Sequence, residues 1–504
     1  MTGPPLTGVG PGPVAAGRPA NTFFTHEQIK AVIWGLVLAM FLAALDQTIV
    51  AIALYSIAVD LQGESLMPWI VSGYLVVATV ATPIHGKLSD LYGRWPMLSI
   101  AIGIYLVASL ASAFAQTMTQ LLCFRLLQGI GGGGLIVLVQ TIIADIVPRE
   151  QRGRYQAYLS GVFAVAAVSG PVLGGLLTEW LSWRAVFLFN IPLGILAWVI
   201  TRRGLRHRLS GHRPQVRVDY LGAGLLGTML ASLMIALTRI GRGAPVADPV
   251  SLTLMAVSVI ALIWLWHREQ RVVDPILPPE LFANRTVMVC CTVLGLNFLL
   301  MYGSIVLVPL ALQTLGKTGT SGMALLMLPF TLGVPLGSYI SGKAMQSAMR
   351  QRLLLASGSS ASAIGALVLA FISYTPGAPL SAGLLFMGVG VGLTIPASIV
   401  AVQSAVRPAL IGIATATSGL FRTLGGAIGI AAMSSALYAG IPVQGQSGST
   451  AAILGSVDPA ELADGFRSAF IVAALAAMLA LVLCSGLSYS RASTDSQPKI
   501  RTPS

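Results

Sequence analysis

The chain has 504 residues, of which 55% are hydrophobic and only 9% are charged. A soluble protein of this size carries roughly 25% charged residues, so the polar surface is too small for a fold wetted on all sides. The net charge of +13 does not indicate nucleic acid, because the bases sit in short segments between apolar runs, where they report membrane topology.

Residues 1–30 open with a Gly-, Pro- and Ala-rich stretch that lacks an apolar core followed by a cleavage site. They are expected to form a disordered cytoplasmic tail rather than a signal peptide. Fourteen runs then approach the roughly 20 apolar residues that a spanning helix needs. Their cores are 32–57, 67–85, 96–116, 119–147, 155–178, 184–201, 219–238, 250–267, 286–312, 322–342, 353–373, 378–402, 411–438 and 467–489. No run alternates with period two, which argues against a transmembrane barrel.

The expected fold class is an all-α membrane protein with 14 transmembrane helices. A six-helix bundle covers 31–203, a basic loop and an inserted helix pair cover 204–272, a second six-helix bundle covers 273–489, and a tail follows over 490–504. Two related six-helix halves are a common transporter plan. With the N-terminus in the cytoplasm, 23 of the 30 Lys and Arg fall on the inner side and 5 on the outer, leaving Arg125 and Arg422 inside the bilayer. This bias supports an even number of spans and two cytoplasmic termini. The Pro-rich stretch 274–285 is expected along the inner interface.

Charged groups at bilayer depth are costly and usually functional. Asp46 lies about 14 residues up the first run, or roughly 21 Å, and Arg125 about six residues down the fourth, or roughly 9 Å. In a hydrocarbon core of about 30 Å the two reach nearly the same depth and could meet. A carboxylate beside a guanidinium stays ionised, whereas an isolated one takes up a proton. Motion that parts such a pair therefore couples proton flow to conformation. A static ion pair tying helices one and four is the other reading.

The loop Gly86-Lys87-Leu88-Ser89-Asp90-Leu91-Tyr92-Gly93-Arg94 combines two turn-permitting glycines with opposite charges, Asp90 and Arg94, at the inner mouth. It is either a gating bridge between helix ends or an ordinary turn with solvated charges. Gln128 follows Arg125 in a run containing Gly129 and Gly131 to Gly134, which permits close helix approach. Asp145, at the inner end of the fourth run, is expected to snorkel to the interface. In the fifth run Gly170, Pro171, Gly174 and Gly175 define a kinked, small-residue face. Arg422 has no acidic partner in any neighbouring span. It could bind carbonyls, line a cavity or contact an anionic part of a substrate.

Cys123, Cys290, Cys291 and Cys484 have no metal or disulfide spacing. The five histidines form no ligand cluster, and no phosphate-cradling loop is present.

Together these segments resemble the major facilitator superfamily, and look most similar to its fourteen-span drug:proton antiporter family, over about residues 30–490. The loop Gly86 to Arg94 is similar to the inner-loop signature. Arg125-Leu126-Leu127-Gln128-Gly129 resembles the fourth-helix signature, whose Arg is implicated in proton transfer. Ser169-Gly170-Pro171-Val172-Leu173-Gly174-Gly175 resembles the antiporter signature of the fifth helix, and Leu45-Asp46-Gln47-Thr48-Ile49-Val50 that of the first helix. Trp183-Arg184, Asn190-Ile191-Pro192-Leu193-Gly194 and the segment from Arg422 to Gly429 also fit. Ala51 and Tyr55 depart from the family pattern, in which an Asn and a helix-bending Pro follow.

The resemblance implies a rocker-switch protein of the cytoplasmic (inner) membrane, not an enzyme. It would act as a proton-coupled antiporter exporting small amphipathic or hydrophobic compounds. Asp46 and Arg125 would couple protons, Gly86, Asp90, Gly93 and Arg94 would gate, and Gln128 and Arg422 are substrate-pathway candidates. The proton gradient would be the energy source, with no cofactor, metal or nucleic acid and with the monomer as working unit. A same-fold exporter of a lipid, siderophore or metabolite is the alternative, and a membrane receptor or intramembrane enzyme a remote one.

Overall fold

The computed structural model describes residues 26–62, 66–205, 219–241, 244–272, 275–316, 325–345, 348–372, 377–439 and 457–486. Most of the basic loop 202–218, residues 1–25 and the tail 490–504 lie outside these residues, and residues 26–30 of the expected N-terminal tail belong to the first helix. Fourteen long helices are described. They are α1 His26–Asp60, α2 Met67–Tyr92, α3 Arg94–Ala113, α4 Met118–Ile146, α5 Arg149–Trp180, α6 Trp183–Leu205, α7 Tyr220–Gly241 and α8 Pro249–Glu269, followed by α9 Arg285–Thr314, α10 Leu328–Ala344, α11 Ala348–Phe371, α12 Ala378–Ser404, α13 Ile411–Tyr438 and α14 Pro459–Ser485.

Among the described residues, twelve of the helices are long and apolar enough to cross a membrane. Helix α5 carries Arg149, Glu150, Arg152 and Arg154 at its start and Glu179 near its end, around a middle without charged residues. Helix α10 has only 17 residues.

Helix ends follow local chemistry. Thr117 accepts from the Gln120 amide to start α4, and Asn284 accepts from the Thr286 amide to start α9. Such side chains satisfy backbone donors that lack an intrahelical partner. Gly93 separates α2 from α3 with φ 94°, a conformation that side chains other than glycine's rarely adopt.

The packing repeats. In the first half α4 lies between α2 and α3, α1 packs on α5 and α6, and α3 also meets α6. In the second half α12 lies between α10 and α11, α9 packs on α13 and α14, and α11 meets α14. The halves join along two seams, α2 against α13 and α5 against α10. The second helix of each half therefore rests on the fifth of the other. Helix α7 covers the α2–α13 seam, and α8 packs on α7. The α7–α8 pair is clasped at its ends by Arg268–Asp219 (2.8 Å) and Arg239–Asp248 (3.0 Å). On α8, Ile263 and Trp264 are 50% and 65% exposed, an apolar outer face suited to lipid rather than water.

At the end of the molecule opposite the Arg94 loop, Trp183 Nε1 (2.9 Å) and Arg184 (2.8 Å) donate to Asp60 and tie α6 to α1. These bonds hold the Asp60 carboxyl below the usual carboxylate range. The 274–285 stretch holds a short helix, Pro279–Ala283. Its Leu281 and the preceding Ile276 and Leu277 are buried with α7 and α9 side chains, while its exposed Glu280 pairs with Arg407 at 2.8 Å.

Glycine sets the closest approach in the second half. A Cβ at Gly429 would stand 2.1 Å from the Leu299 carbonyl oxygen, whereas one at Gly224 would meet nothing within 4 Å. Gly429→Val should therefore force α9 and α13 apart at a cost of about 1–3 kcal/mol. A lowered unfolding midpoint in detergent, with Gly224→Ala unchanged, is the expected measurement.

Candidate functional site

The first half is organised around one buried ion pair. Arg125 of α4 donates to Asp46 Oδ2 of α1 at 2.6 Å, and the two side chains are 1% and 0% exposed. The other carboxylate oxygen, Oδ1, accepts from Gln128 Nε2 and from Asn190 Nδ2 of α6, each at 3.1 Å. The same Arg125 nitrogen reaches Gln128 Oε1 at 2.7 Å. The guanidinium stacks 4.3 Å from the Tyr74 ring centroid and 5.9 Å from that of Phe187. Ser109 of α3 joins the layer by accepting from Asn190 at 2.9 Å and donating to the Phe187 carbonyl at 3.0 Å. A pair this far from water holds only when its remaining hydrogen-bonding atoms are also met, and four helices supply them.

Local sequence makes this geometry possible. A Cβ at Gly133 would lie 2.2 Å from the Ala78 carbonyl oxygen, so only glycine lets α4 reach α2 there. Asn190 and Ser109 were not singled out as site residues from the sequence. The available signal was a polar amide and a hydroxyl within apolar runs, and neither carries a charge to stand out.

The segment from Gly86 to Arg94 forms a second cluster at the basic end. Arg94 pairs with Asp90 at 2.5 Å and with Asp145 at 2.6 Å, and donates to Ser89 Oγ at 2.6 Å. Asp145 lies exposed near the end of α4, where interfacial snorkelling was expected, and pairs with Arg94 there. Its placement follows from α3 beginning at Arg94 beside the end of α4. Asp90 also crosses the seam, accepting from the Ile413 amide of α13 at 3.1 Å. The helix N-terminus there offers free N–H groups and a favourable dipole for a carboxylate. Small residues let the seam close, since a Cβ at Gly86 would lie 2.7 Å from the Ala416 Cβ, and one at Gly412 2.5 Å from Asp90 Oδ1. Gly86 and Asp90 thus meet the second half in one contact, with Arg94 and the Gly93 turn beside it.

In α5, Gly170 faces α1 where Thr48 Oγ1 donates to the Leu45 and Ala166 carbonyls at 2.9 and 3.1 Å. Gly174 is buried, while a Cβ at Gly175 would meet open space. Pro171 belongs to the same helix. The side chains of Pro171, Ala51 and Tyr55 lie outside the described residues.

Between the halves is a cavity of ≈ 150 Å³, lined by Gln47, Gln140 and Phe163 from the first half and by Phe298, Tyr302 and Arg422 from the second. Ligand pockets usually span about 300–1,000 Å³, so the halves must part to admit a drug-sized solute. A further cavity of ≈ 320 Å³ shares Leu75, Tyr302 and Thr423 with it and runs along α7 away from the basic end. Gln47 lines the central cavity, but Asp46 does not. Of the two substrate-pathway candidates, Arg422 lines this cavity, whereas Gln128 is turned to the Asp46 layer.

This arrangement of two repeated helical halves, a central cavity and a buried charge layer defines a membrane transporter rather than an enzyme. The sequence profile of the Major Facilitator Superfamily matches residues 36–430, and the chain belongs to that family. It is 31% identical to the multidrug transporter protein MdtP of Bacillus subtilis, over 81% of this chain and 75% of the relative. It is likewise 31% identical to multidrug resistance protein 3 of the same organism, over 81% and 80%. Multidrug resistance protein fnx1 of Schizosaccharomyces pombe is 30% identical over 80% and 78%. In fold it is similar to the human organic anion transporter MFSD10, with a TM-score of 0.63, 16% identity and coverage of 90% and 99%. A bacterial homologue of the iron transporter ferroportin gives 0.61, 14%, 90% and 98%.

Asp90→Ala should open the basic end, because it removes both the partner of Arg94 and the acceptor for Ile413. The thiol of an Ala416→Cys variant, buried when the seam is closed, should then react several-fold faster with a hydrophilic maleimide. Equal labelling with and without Asp90→Ala would show that the seal does not depend on this carboxylate.

Proposed function

We propose that this protein is a fourteen-span, proton-coupled antiporter that exports small amphipathic compounds across the cytoplasmic membrane by alternating access. The names of its relatives, which are multidrug transporters and resistance proteins at about 31% identity, favour export of such compounds. The basic end is read as cytoplasmic, with both termini on that side, in keeping with the distribution of Lys and Arg. Each chain holds its own cavity, which favours the monomer as working unit.

One observation carries the reading: Asp46 is sealed from the cavity, while its neighbour Gln47 lines it. Both side chains sit on α1, so a solute that shifts this helix at Gln47 also shifts Asp46 against Arg125. Each Asp46 oxygen already accepts hydrogen bonds. A proton arriving at Oδ2 must displace Arg125, and rejoining the pair expels it. Coupling then follows from geometry. Protonation loosens α1 from α4, the first half reorients, the seal at Asp90 and Ile413 parts, and restoration of the pair releases the proton to the other side. Lone charge at this depth is costly, so the paired and the protonated states are both favoured over a bare carboxylate.

The reading is tested in inside-out vesicles with and without a pH gradient. Asp46→Asn should abolish gradient-driven accumulation while the protein still inserts, because Arg125 keeps Gln128, the Ile70 carbonyl and two aromatic rings as partners. Accumulation that ignores the gradient in the wild-type protein would sink proton coupling. Arg125→Ala should shift the pH profile of any remaining transport, and an unchanged profile would return the pair to a static role.

A further inference from the structure

Arg422 is the one charged side chain among the described residues lining the central cavity. Its guanidinium carbon lies 5.5 Å from the Phe298 ring centroid and 5.9 Å from that of Phe163. These rings come from opposite halves, so the cation sits where the halves meet. No acidic side chain lines the cavity, and none forms an ion pair with Arg422 among the described residues. Asp46, the carboxylate buried at similar depth, is taken by Arg125.

A buried cation without a counter-charge is costly in a bilayer. Aromatic faces offset part of that cost, but they leave the in-plane N–H groups of the guanidinium without an acceptor. Those groups form a rigid fork that matches the two oxygens of a carboxylate or sulfonate. Met301, Tyr302 and the two Phe rings supply an apolar wall beside the fork, and Gln47 and Gln140 supply amides. A cationic solute would instead meet an uncompensated like charge at the centre of the path, with no carboxylate to receive it.

We infer that the solute carried is an amphipathic anion, a hydrophobic or aromatic body bearing a carboxylate or sulfonate that pairs with Arg422. This rests on the exporter reading above and assigns its substrate class. It has an electrical consequence. One proton moving in and one monoanion moving out displace two unit charges in the same electrical sense. Exchange of a proton for a monocation displaces none.

The test compares two dyes that share a xanthene body, fluorescein as the anion and rhodamine 123 as the cation. Binding to the purified full-length protein in detergent is followed by fluorescence anisotropy. Fluorescein should bind at least tenfold more tightly than rhodamine 123. Arg422→Gln should weaken fluorescein at least tenfold, and Arg422→Lys, which keeps the charge but not the fork, should bind more weakly than the unmutated protein and more tightly than Arg422→Gln. Rhodamine 123 binding as tightly as fluorescein, absence of fluorescein binding, or fluorescein affinity unchanged in Arg422→Gln would each overturn the assignment. The dye comparison in the unmutated protein stands even where a variant fails to fold. Binding needs no gradient, so failure of proton coupling leaves this readout intact and is recognised separately. In proteoliposomes with the pH clamped equal, a potential negative on the side from which the dye leaves should accelerate fluorescein transport. No response to potential would count against the anion.

Discussion

A charge held at bilayer depth must find a partner inside the protein, and much of this fold is arranged around that requirement. Asp46 and Arg125 lie on different helices and satisfy each other at 2.6 Å. The leftover acceptor and donor capacity then draws in Gln128, Asn190 and, through Asn190, Ser109. The result fixes α1, α3, α4 and α6 in one layer. Removing one member of such a buried pair typically costs about 3–5 kcal/mol, so the layer holds together as a unit.

The seam between the halves is built differently. At the basic end the described polar link across α2 and α13 is the Asp90 carboxylate on the Ile413 amide, set among glycine and alanine contacts. A hydrogen bond to a charged group contributes about 1.5–3 kcal/mol. Small residues present a smooth surface without interlocking side chains. Such a contact can part and re-form without repacking either half. Arg94 keeps Asp90 aimed at α13 while itself anchored by Asp145, so this link is oriented from within the first half. Within the halves the contrast is marked, with α13 and α9 meeting backbone to backbone at Gly425 and Gly295.

Much of this was legible in the sequence because depth can be counted. The rise of a helix places Asp46 and Arg125 at one level without any tertiary information, and charge is rare enough in a span to be noticed. Asn190 and Ser109 were harder, since a polar neutral residue in an apolar run has no sign to match and packs as often as it binds. The pairing of Asp145 was not legible, because its partner Arg94 is close only after α3 folds back along α4. Gln128 was set on the solute path, yet three residues from Arg125 it shares that residue's face of the helix.

The repeat in packing also exposes an asymmetry in chemistry. The first half carries a complete ion pair turned away from the cavity, whereas the second places a lone guanidinium on the cavity wall. A symmetric distribution would have put either two neutral pairs or two open charges at the centre. Two neutral pairs would leave the solute nothing charged to recognise. Two open cations would repel across a cavity of ≈ 150 Å³. With one of each, the first half keeps its paired charges away from the cavity, and the second keeps a cation on the cavity wall. Because Phe163 of α5 and Phe298 of α9 both flank Arg422, parting of the halves takes one ring away from the cation. The aromatic surroundings of Arg422 thus depend on how far the halves have separated, without any change within either half.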